Sequence, residues 1–449
     1  MDRFTGDKVI LMVTVLLMLI SVISVFSSTP LLVDSDKGID RMGIMMKQLQ
    51  AVAVGIVVIV ALYFFGSSRL YRSSAILCLL LSLGGLLILV GNLSLGPLKA
   101  GVINGARRII VLGSRQIHVY EFVKVFMVIY LAWALDTYRK QEFKLTRKLA
   151  ARFPKMAWID SPLAQKTVYI YIPIGLVTFM VMMGSNSSAI FIALIMVLMI
   201  VIGGVNIKDF LVMGLILVLG LGGIYAGYKA GWITGRVETA ISRLTNDDDM
   251  TMQILLNSTP GSEDYNNARD ELKQPVGALL AIKEGGLTGK GIGGSDQKYA
   301  VPVIFGDYMF SFIIEETGLV GAIGLILLYF SLLARGTMIA GDCDDYFDKM
   351  LVTGLIILVT GQAFMHMAVN VHMPLVPQTG QTLPLVSHGT TSFIVFSAVF
   401  GILLSISRRS HDKMARREAE ATPIIVHDPQ EDQVRAAVSD LDALESMEE

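Results

Sequence analysis

The amino-acid sequence predicts an all-α polytopic membrane protein with about ten transmembrane helices and both termini in the cytoplasm. Hydrophobic residues make up 53% of the 449 residues and charged residues 17%, and the mean hydropathy is +0.61. The apolar residues form long blocks, many of about the 20 residues that a helix needs to cross a hydrocarbon core of about 30 Å. A soluble chain of this length would be far less apolar, so that class is excluded.

The predicted spans follow one another along nearly the whole chain. The first follows Arg3 and Lys8, but no small-residue cleavage site comes after it, so we interpret it as a retained span rather than a secretory signal. The two cysteines, Cys78 and Cys343, cannot form a disulfide framework. The spans are predicted at residues 9–27, 50–65, 74–91, 119–136, 168–183, 188–203, 210–229, 308–334, 351–371 and 390–406.

The distribution of basic residues predicts the orientation. Residues 137–166 carry eight Lys and Arg, and the segment after the last span begins with RRSHDKMARR. Because positive charge is enriched in short cytoplasmic loops, we expect both segments in the cytoplasm. The loops expected outside are then 92–118, 184–187, 231–306 and 372–389.

The sequence divides into a transmembrane domain at 1–408 and a charged cytoplasmic tail at 409–449. The domain includes the large extracytoplasmic loop between helices 7 and 8, about 231–306, in which we expect short helices near 236–244 and 266–283. The tail changes from basic to acidic and contains no aromatic residue, so we expect it to be disordered.

One outer loop departs from the charge rule. Lys99, Arg107, Arg108 and Arg115 lie in the loop at 92–118, with no acidic residue between 96 and 116. The planar guanidinium suits two-point contacts with phosphate, which favours a phosphate-bearing substrate. The alternative is that these charges contact lipid headgroups, or are tolerated because the cytoplasmic loops determine insertion.

Charged and polar residues inside the predicted spans are few. Glu121 and Lys124 lie three residues apart on one face of the fourth helix, where they either pin two helices together or orient a substrate. The ninth helix carries polar residues that could line a seam, although such histidines are more often packing residues. These are Gln362, His366, Asn370 and His372.

Two stretches rich in glycine flank the eighth and ninth helices. EGGLTGKGIGGSDQK at 284–298 follows no strand, so we reject it as a phosphate-binding loop and interpret it as a tight turn that brings Gln297 and Lys298 to the membrane face. The second stretch, at 373–392, is rich in Pro, Gly, Thr and Ser. Irregular backbone of this kind at a membrane edge is expected to line a cavity or be covered by protein. No histidine spacing typical of a metal site occurs.

Three carboxylates in FGDYMFSFIIEETG, at 305–318, lie at the start of a long apolar run. A carboxylate at the bilayer centre costs about 2.5–3.5 kcal/mol on insertion scales, so Asp307, Glu315 and Glu316 require an explanation.

Five stretches in this order resemble the SEDS family of shape, elongation, division and sporulation proteins. The resemblance covers about 9–408, and the opening GDKVILMVTVLLMLISVISVFSST is most similar to the division branch. The five stretches are INGARRIIVLG with YEFVK, QPVGALLAIKEGGLTGKGIGGSDQK, GDYMFSFIIEETGLVG, TGQTLPLVSHGTTS and GILLSISRR.

The resemblance implies a peptidoglycan glycosyltransferase that polymerises lipid II at the outer face of the membrane. Asp307 matches the family's proposed catalytic carboxylate, and we expect it to act as general base. Arg107 and Arg108 are expected to bind the pyrophosphate, with help from Lys298 or a divalent cation, Mg²⁺ or Mn²⁺. Further substrate-binding candidates are Gln297, Glu121, Lys124, Glu315, Glu316, Thr379, Ser387 and His388.

The chain departs from the family pattern at several positions. SHGTTS replaces the usual tyrosine and paired glycines with His388, Thr390 and Thr391, and Phe305 and Gly306 replace the usual histidine and threonine before Asp307. These substitutions weaken any specific substrate contact assigned to His388 or the threonines.

The resemblance also implies a place in the cell and a set of partners. We expect the bacterial inner membrane at the division septum, other divisome membrane proteins, and a class B penicillin-binding protein whose single helix packs at Gly318, Gly321 and Gly324. No nucleic-acid partner is expected. The alternative functions are a lipid II flippase, which needs essential charges on both sides of the membrane, and a non-catalytic divisome scaffold.

Overall fold

The computed structural model describes residues 5–32, 40–103, 106–113, 115–153, 158–204, 214, 253–373, 376 and 380–421. The span predicted at 210–229, the short helix predicted at 236–244 and residues 422–449 of the tail lie outside these ranges.

Each predicted span other than 210–229 lies on a helix. A five-residue π-helical stretch joins α6 to α7, and one short helical turn covers 253–257. The helices are α1 (Lys8–Ser28), α2 (Arg41–Phe65), α3 (Ser68–Val90), α4 (Val119–Lys140), α5 (Lys144–Arg152), α6 (Pro162–Lys166), α7 (Ile172–Met182), α8 (Asn186–Ile202), α9 (Glu263–Gly285), α10 (Met309–Asp342), α11 (Tyr346–Asn370) and α12 (Thr390–Ala421).

The described helices identify a multi-pass membrane protein. Seven of them, counting α6 and α7 as one, are long and apolar enough to cross a membrane. Of the others at predicted spans, α8 has 17 residues, and α4 has charged residues near both ends.

The helices differ in how much of their surface is covered by protein. In the apolar 18-residue segment of each helix, 67% of the residues are buried in α11 but only 22% in α2. Helix α11 packs against α4, α8 and α10, whereas α2 packs mainly against α12. Helices that are apolar all round suit both positions, because lipid and a protein core are about equally apolar. Helix α11 is therefore the centre of the bundle and α2 lies at its edge.

The outer loop at 92–118 folds into a four-stranded antiparallel sheet in the order β1-β2-β3-β4. No strand was predicted there, so the all-α expectation is incomplete at this loop. The register between β2 and β3 shifts at Gly101 and Val102. The strands are β1 (Ser94–Leu95), β2 (Leu98–Ile103), β3 (Ala106–Leu112) and β4 (Arg115–His118).

Helix α10 is interrupted at Gly318, whose φ of 70° and ψ of −171° define a conformation that essentially only glycine adopts. The break divides α10 into a first half-helix, 309–317, and a second half-helix, 319–342. The backbone of loop 286–291 enters the break and supplies hydrogen bonds that a continuous helix would make internally. The amides of Lys290 and Gly291 donate to the carbonyls of Glu315 and Glu316, both at 2.9 Å. In return, the loop carbonyls accept from the second half-helix: Gly286 from the amide of Leu319 at 3.0 Å, and Leu287 from the amide of Val320 at 3.3 Å.

Two elements differ from the predicted boundaries. Helix α9, Glu263–Gly285, lies where a short helix was expected at 266–283. Helix α12 continues to Ala421, so residues 409–421 of the expected disordered tail are helical. Within this stretch, Arg417 forms a 3.0 Å ion pair with Asp344.

Candidate functional site

Asp307 lies two residues before α10 and is half-buried. Its carbonyl oxygen accepts a hydrogen bond from Asn370 Nδ2 at 2.9 Å. Its carboxylate packs against Gly380, where a Cβ atom would lie 2.9 Å from Oδ2. Any side chain at 380 would therefore push on the carboxylate.

The last outer loop and the end of α11 fix the backbone around Asp307. Ser387 Oγ donates to the carbonyl of Gly306 at 2.7 Å, and the amide of His388 donates to the carbonyl of Phe305 at 2.9 Å. On the other side, the amide of Ser311 donates to Asn370 Oδ1 at 2.9 Å. Ser387 and His388, both predicted to bind substrate, thus lie beside Asp307 and hold the segment that carries it.

The surroundings of Asp307 tune its acidity. Burial raises the pKa of Asp307 to about 6, and the positive charge of Arg108 opposes part of that rise. Arg108 is held in place by donating from Nε to the carbonyl of Gly184 at 3.2 Å. A carboxylate with a pKa near neutrality can both hold and accept a proton at physiological pH, which suits a general base.

The two predicted arginines differ in position. Arg107 and Arg108 are neighbours on β3, and successive side chains of a strand project to opposite faces. Arg107 is exposed, whereas Arg108 is half-buried and acts electrostatically on Asp307. Arg108 therefore lies close enough to lower the pKa of Asp307, and a phosphate contact by Arg107 stays a prediction.

Glu121 and Lys124 form the predicted pair, at 2.8 Å between Nζ and Oε1. Lys124 is 1% exposed, and its ammonium also donates to Gln362 Oε1 at 2.5 Å and Gln381 Oε1 at 3.1 Å. An ammonium has three donors, and all three have protein acceptors here. This supports the packing role of the pair more than direct substrate contact.

Gln362, His366 and Asn370 lie on α11 and form the expected seam, whereas His372 lies two residues beyond the end of the helix. His366 accepts from the amide of Phe310 at Nε2, 3.3 Å away, so its proton lies on Nδ1 and is donated to the carbonyl of Gln381 at 2.7 Å. Together with Asn370, His366 joins α11 to the start of α10 and to the last outer loop. These are packing contacts that support the segment around Asp307.

Glu315 and Glu316 are buried and bind the glycine-rich loop. Glu315 accepts hydrogen bonds from Ser295 Oγ at 2.5 Å and from the amide of Asp296 at 2.7 Å. Glu316 accepts from the amide of Gly293 at 2.9 Å and from Ser27 Oγ of α1 at 2.5 Å. Substrate contact by either glutamate stays a prediction, because their observed partners are protein groups.

The remaining candidates have varied surroundings. Lys298 is buried and donates to the carbonyl of Gly293 at 2.6 Å, so its ammonium points into the loop rather than towards Asp307. The amide of Gln297 donates to Glu315 Oε1 at 3.3 Å. Burial lowers the pKa of His388, which keeps the ring neutral. Thr379 lies outside the described residues.

A preformed divalent cation site at Asp307 is not supported by its neighbours. Within the described ranges, the group of three or more His, Cys, Asp or Glu side chains close enough to share an ion consists of Glu284, Asp296 and Glu315. Asp307 is not in it, and Lys290 Nζ occupies its centre. Among the described residues, those around Asp307 thus do not fit a protein-built metal cage.

The chain is similar to known proteins along nearly its whole length. The profile of the family described as cell cycle protein, comprising FtsW, RodA and SpoVE, matches residues 7–412. Stage V sporulation protein E of Bacillus subtilis is 28% identical over 411 residues, covering 91% of this chain and 98% of that protein. A probable peptidoglycan glycosyltransferase FtsW of Geobacter metallireducens is 28% identical over 405 residues, covering 90% and 95%.

Two solved structures share the fold. The rod shape determining protein RodA of Thermus thermophilus superposes with a TM-score of 0.53 at 21% identity, covering 92% of this chain and 99% of that one. A chain from a peptidoglycan synthase complex, described as coordinating polymerization and crosslinking, superposes with a TM-score of 0.57 at 21% identity, covering 90% and 98%.

Proposed function

The chain belongs to the FtsW/RodA/SpoVE family of cell cycle proteins, and from that premise we propose that it is a glycosyltransferase that polymerises lipid II into peptidoglycan strands. The observation that carries the proposal is Asp307, a half-buried carboxylate at the start of α10 with a pKa of about 6 and Arg108 as its cationic neighbour. Curated relatives named peptidoglycan glycosyltransferase support the same activity.

The proposed reaction forms one glycosidic bond and breaks one bond to phosphate. The 4-hydroxyl of the acceptor sugar attacks the anomeric carbon of the donor, whose bond to the lipid pyrophosphate breaks. Asp307 accepts the hydroxyl proton as the new bond forms. Arg108 stabilises the negative charge that develops on the departing pyrophosphate. Pyrophosphate leaves without being protonated, so the reaction needs one carboxylate as general base and no second carboxyl group as general acid.

The proposed setting is the bacterial cytoplasmic membrane, with Asp307 at its outer face. The basic segments around 137–166 and after the last span support the orientation. The resemblance to the division branch favours the septum, where other divisome membrane proteins are proposed neighbours.

A class B penicillin-binding protein is the proposed partner, because a structural neighbour comes from a complex that coordinates polymerization and crosslinking. Helix α10 offers a bare apolar face, with Val320 62%, Ile323 48% and Leu327 60% exposed. Gly324 on this face has nothing within 4 Å of its Cβ position, so a foreign helix can approach closely. Gly318 is buried in the break and is not available for that contact, contrary to the sequence-based expectation.

The decisive experiment incubates the purified full-length protein with lipid II and separates the products by gel. We expect glycan ladders from the wild type and none from Asp307→Asn, because the amide keeps the shape but cannot accept a proton. Asp264→Asn is the matched control, since Asp264 is an exposed carboxylate in the first turn of α9 and should leave activity intact.

Other results would point to the alternatives. Wild-type activity in Asp307→Asn would refute the assignment of the base. Movement of labelled lipid II across vesicle membranes without glycan formation would favour the flippase. Absence of both activities, with normal complex formation, would favour the scaffold.

A further inference from the structure

The loop that enters the break in α10 is fastened there by one lysine and three carboxylates. Lys290 Nζ lies 2.5 Å from Glu284 Oε2, 2.8 Å from Asp296 Oδ2 and 3.0 Å from Glu315 Oε1. We call these four side chains the Lys290 clasp. The three carboxylates have oxygens within 4.8 Å of one another, a separation at which unscreened like charges repel. The ammonium is what allows them to share the site.

The Lys290 clasp offsets the electrostatic repulsion between the Glu315 carboxylate and the end of the helix on which it lies. The first half-helix ends at 317, and the carboxyl end of a helix carries partial negative charge, which disfavours a carboxylate. Lys290 supplies positive charge at that end, and its amide also satisfies the carbonyl oxygen of Glu315 at 2.9 Å. The loop and the half-helix are thus joined by an ion pair and a backbone hydrogen bond.

Asp307 lies at the opposite end of the same half-helix. The nine residues 309–317 are too few for a helix that is stable alone, so its direction depends on the packing of its buried residues and on what holds its two ends. Asn370 and Ser311 hold the end near Asp307, and the Lys290 clasp holds the end at Glu315, about 9 Å along the axis from Met309.

We propose that the Lys290 clasp positions Asp307 for the reaction, with the Lys290 ammonium as the cation that holds together three carboxylates close enough to share an ion. This inference rests on the proposed glycosyltransferase function. Glu284, Lys290 and Asp296 are positioning residues, because they act through the half-helix and do not contact the reacting atoms. Release of the clasp lets the half-helix tilt, which moves the carboxylate away from the acceptor hydroxyl.

The test uses full-length Lys290→Met, with hydrogen exchange of the loop amides and the kinetics of lipid II polymerisation as two readouts. We expect exchange at Lys290 and Gly291 positions to accelerate about 5- to 30-fold, the effect of losing one or two kcal/mol of local stability. Turnover, kcat, should fall while KM stays unchanged, since substrate contacts are not removed. Lys290→Arg should restore both readouts, and millimolar Ca²⁺ should restore protection in Lys290→Met.

The matched control is Lys283→Met, which removes an exposed lysine near the end of α9. If Lys290→Met does not fold, Glu284→Gln takes its place in the test, and we expect smaller changes in exchange and in kcat. Unchanged exchange in Lys290→Met, faster exchange with unchanged kcat, or a lack of Ca²⁺ rescue would each overturn the proposal. If the wild type makes no glycan, the proposed function fails, whereas the exchange and Ca²⁺ results still decide whether the clasp holds the half-helix.

Discussion

At the scale of single residues, the site consists of a carboxylate whose acidity is set by two opposing effects. Burial disfavours the charged form of Asp307, and the guanidinium of Arg108 favours it. The balance leaves a pKa of about 6, close enough to neutrality for proton transfer to be efficient.

The pH dependence of polymerisation follows from this balance. A general base works only when deprotonated, so activity should be full well above pH 6 and fall as the pH drops through about 6. Arg108→Gln removes the effect that lowers the pKa, so the acidic limb of the kcat/KM profile should move to higher pH. Arg107→Gln should leave the limb in place, because Arg107 does not act on Asp307. The profile is measured from glycan formation across pH 5 to about 8, and an unmoved limb in Arg108→Gln would exclude the electrostatic coupling.

Gly380 is a second residue-scale determinant. Gly380→Ala places a methyl group about 3 Å from the Asp307 carboxylate, since the Cβ position lies 2.9 Å from Oδ2. A displacement of about 1 Å at a reacting group can cost about 100-fold in rate, so kcat should fall by about 10- to 100-fold. Gly84→Ala, at a glycine with nothing within 4 Å of its Cβ position, is the control. Equal kcat in the two variants would show that the carboxylate tolerates the methyl group.

The sequence was informative about Asp307 but not about its supports. A carboxylate at the start of an apolar run is visible in the sequence, because burial there is costly. Gly380 and the acceptor carbonyls of Gly306 and Phe305 act through backbone and space, and nothing in residue type or spacing reveals such contacts. Lys290 was missed because its partners lie up to 25 residues away and meet it only through the loop.

At the scale of elements, neither the sheet nor the break in α10 was predicted from the sequence, and the reasons differ. The sheet had a local signal that was not used, since Asn104-Gly105 separates two runs rich in β-branched residues and Asn-Gly is a strong hairpin indicator. The break at Gly318 had none, because a single glycine is common in membrane helices. Its conformation depends on the loop that enters it, which is a tertiary effect.

The break gives an element-scale prediction. Gly318→Ala should destabilise the protein by about 1–3 kcal/mol, because alanine does not adopt this backbone conformation and its methyl group would clash with the carbonyl of Leu287. Gly324→Ala, also in α10 but with open space around it, should be neutral or slightly stabilising. Thermal unfolding in detergent measures both. Similar midpoints for the two variants would contradict the strained role of Gly318.

At the scale of the whole molecule, the end of the bundle remote from Asp307 is joined by ion pairs. Arg72 of α3 lies 2.8 Å from Asp345 and 3.2 Å from Asp136 of α4. Arg335 of α10 is paired with Asp7, the cap of α1. These pairs join helices at the end where the basic segments predict the cytoplasm, so charge supports structure at that end and the proposed chemistry lies at the other.

The tail gives a prediction at this scale. Deleting 422–449 keeps all of α12 and every described residue around Asp307, so lipid II polymerisation in vitro should be unchanged. Glycan length and rate on a gel, compared with the full-length protein, provide the measurement. Loss of activity on truncation would mean that the acidic tail takes part in catalysis or in folding.

The interruption of α10 also bears on how the chain is assembled in the membrane. The second half-helix, 319–342, is about 36 Å long and can cross the hydrocarbon core alone. The translocon can therefore release 319–342 sideways into lipid while Glu315 and Glu316 stay on the aqueous side, sparing about 2.5–3.5 kcal/mol for each carboxylate. On this route we expect the glycine-rich loop to fold onto the first half-helix only after α9 and its loop have been translocated, so that the site matures late.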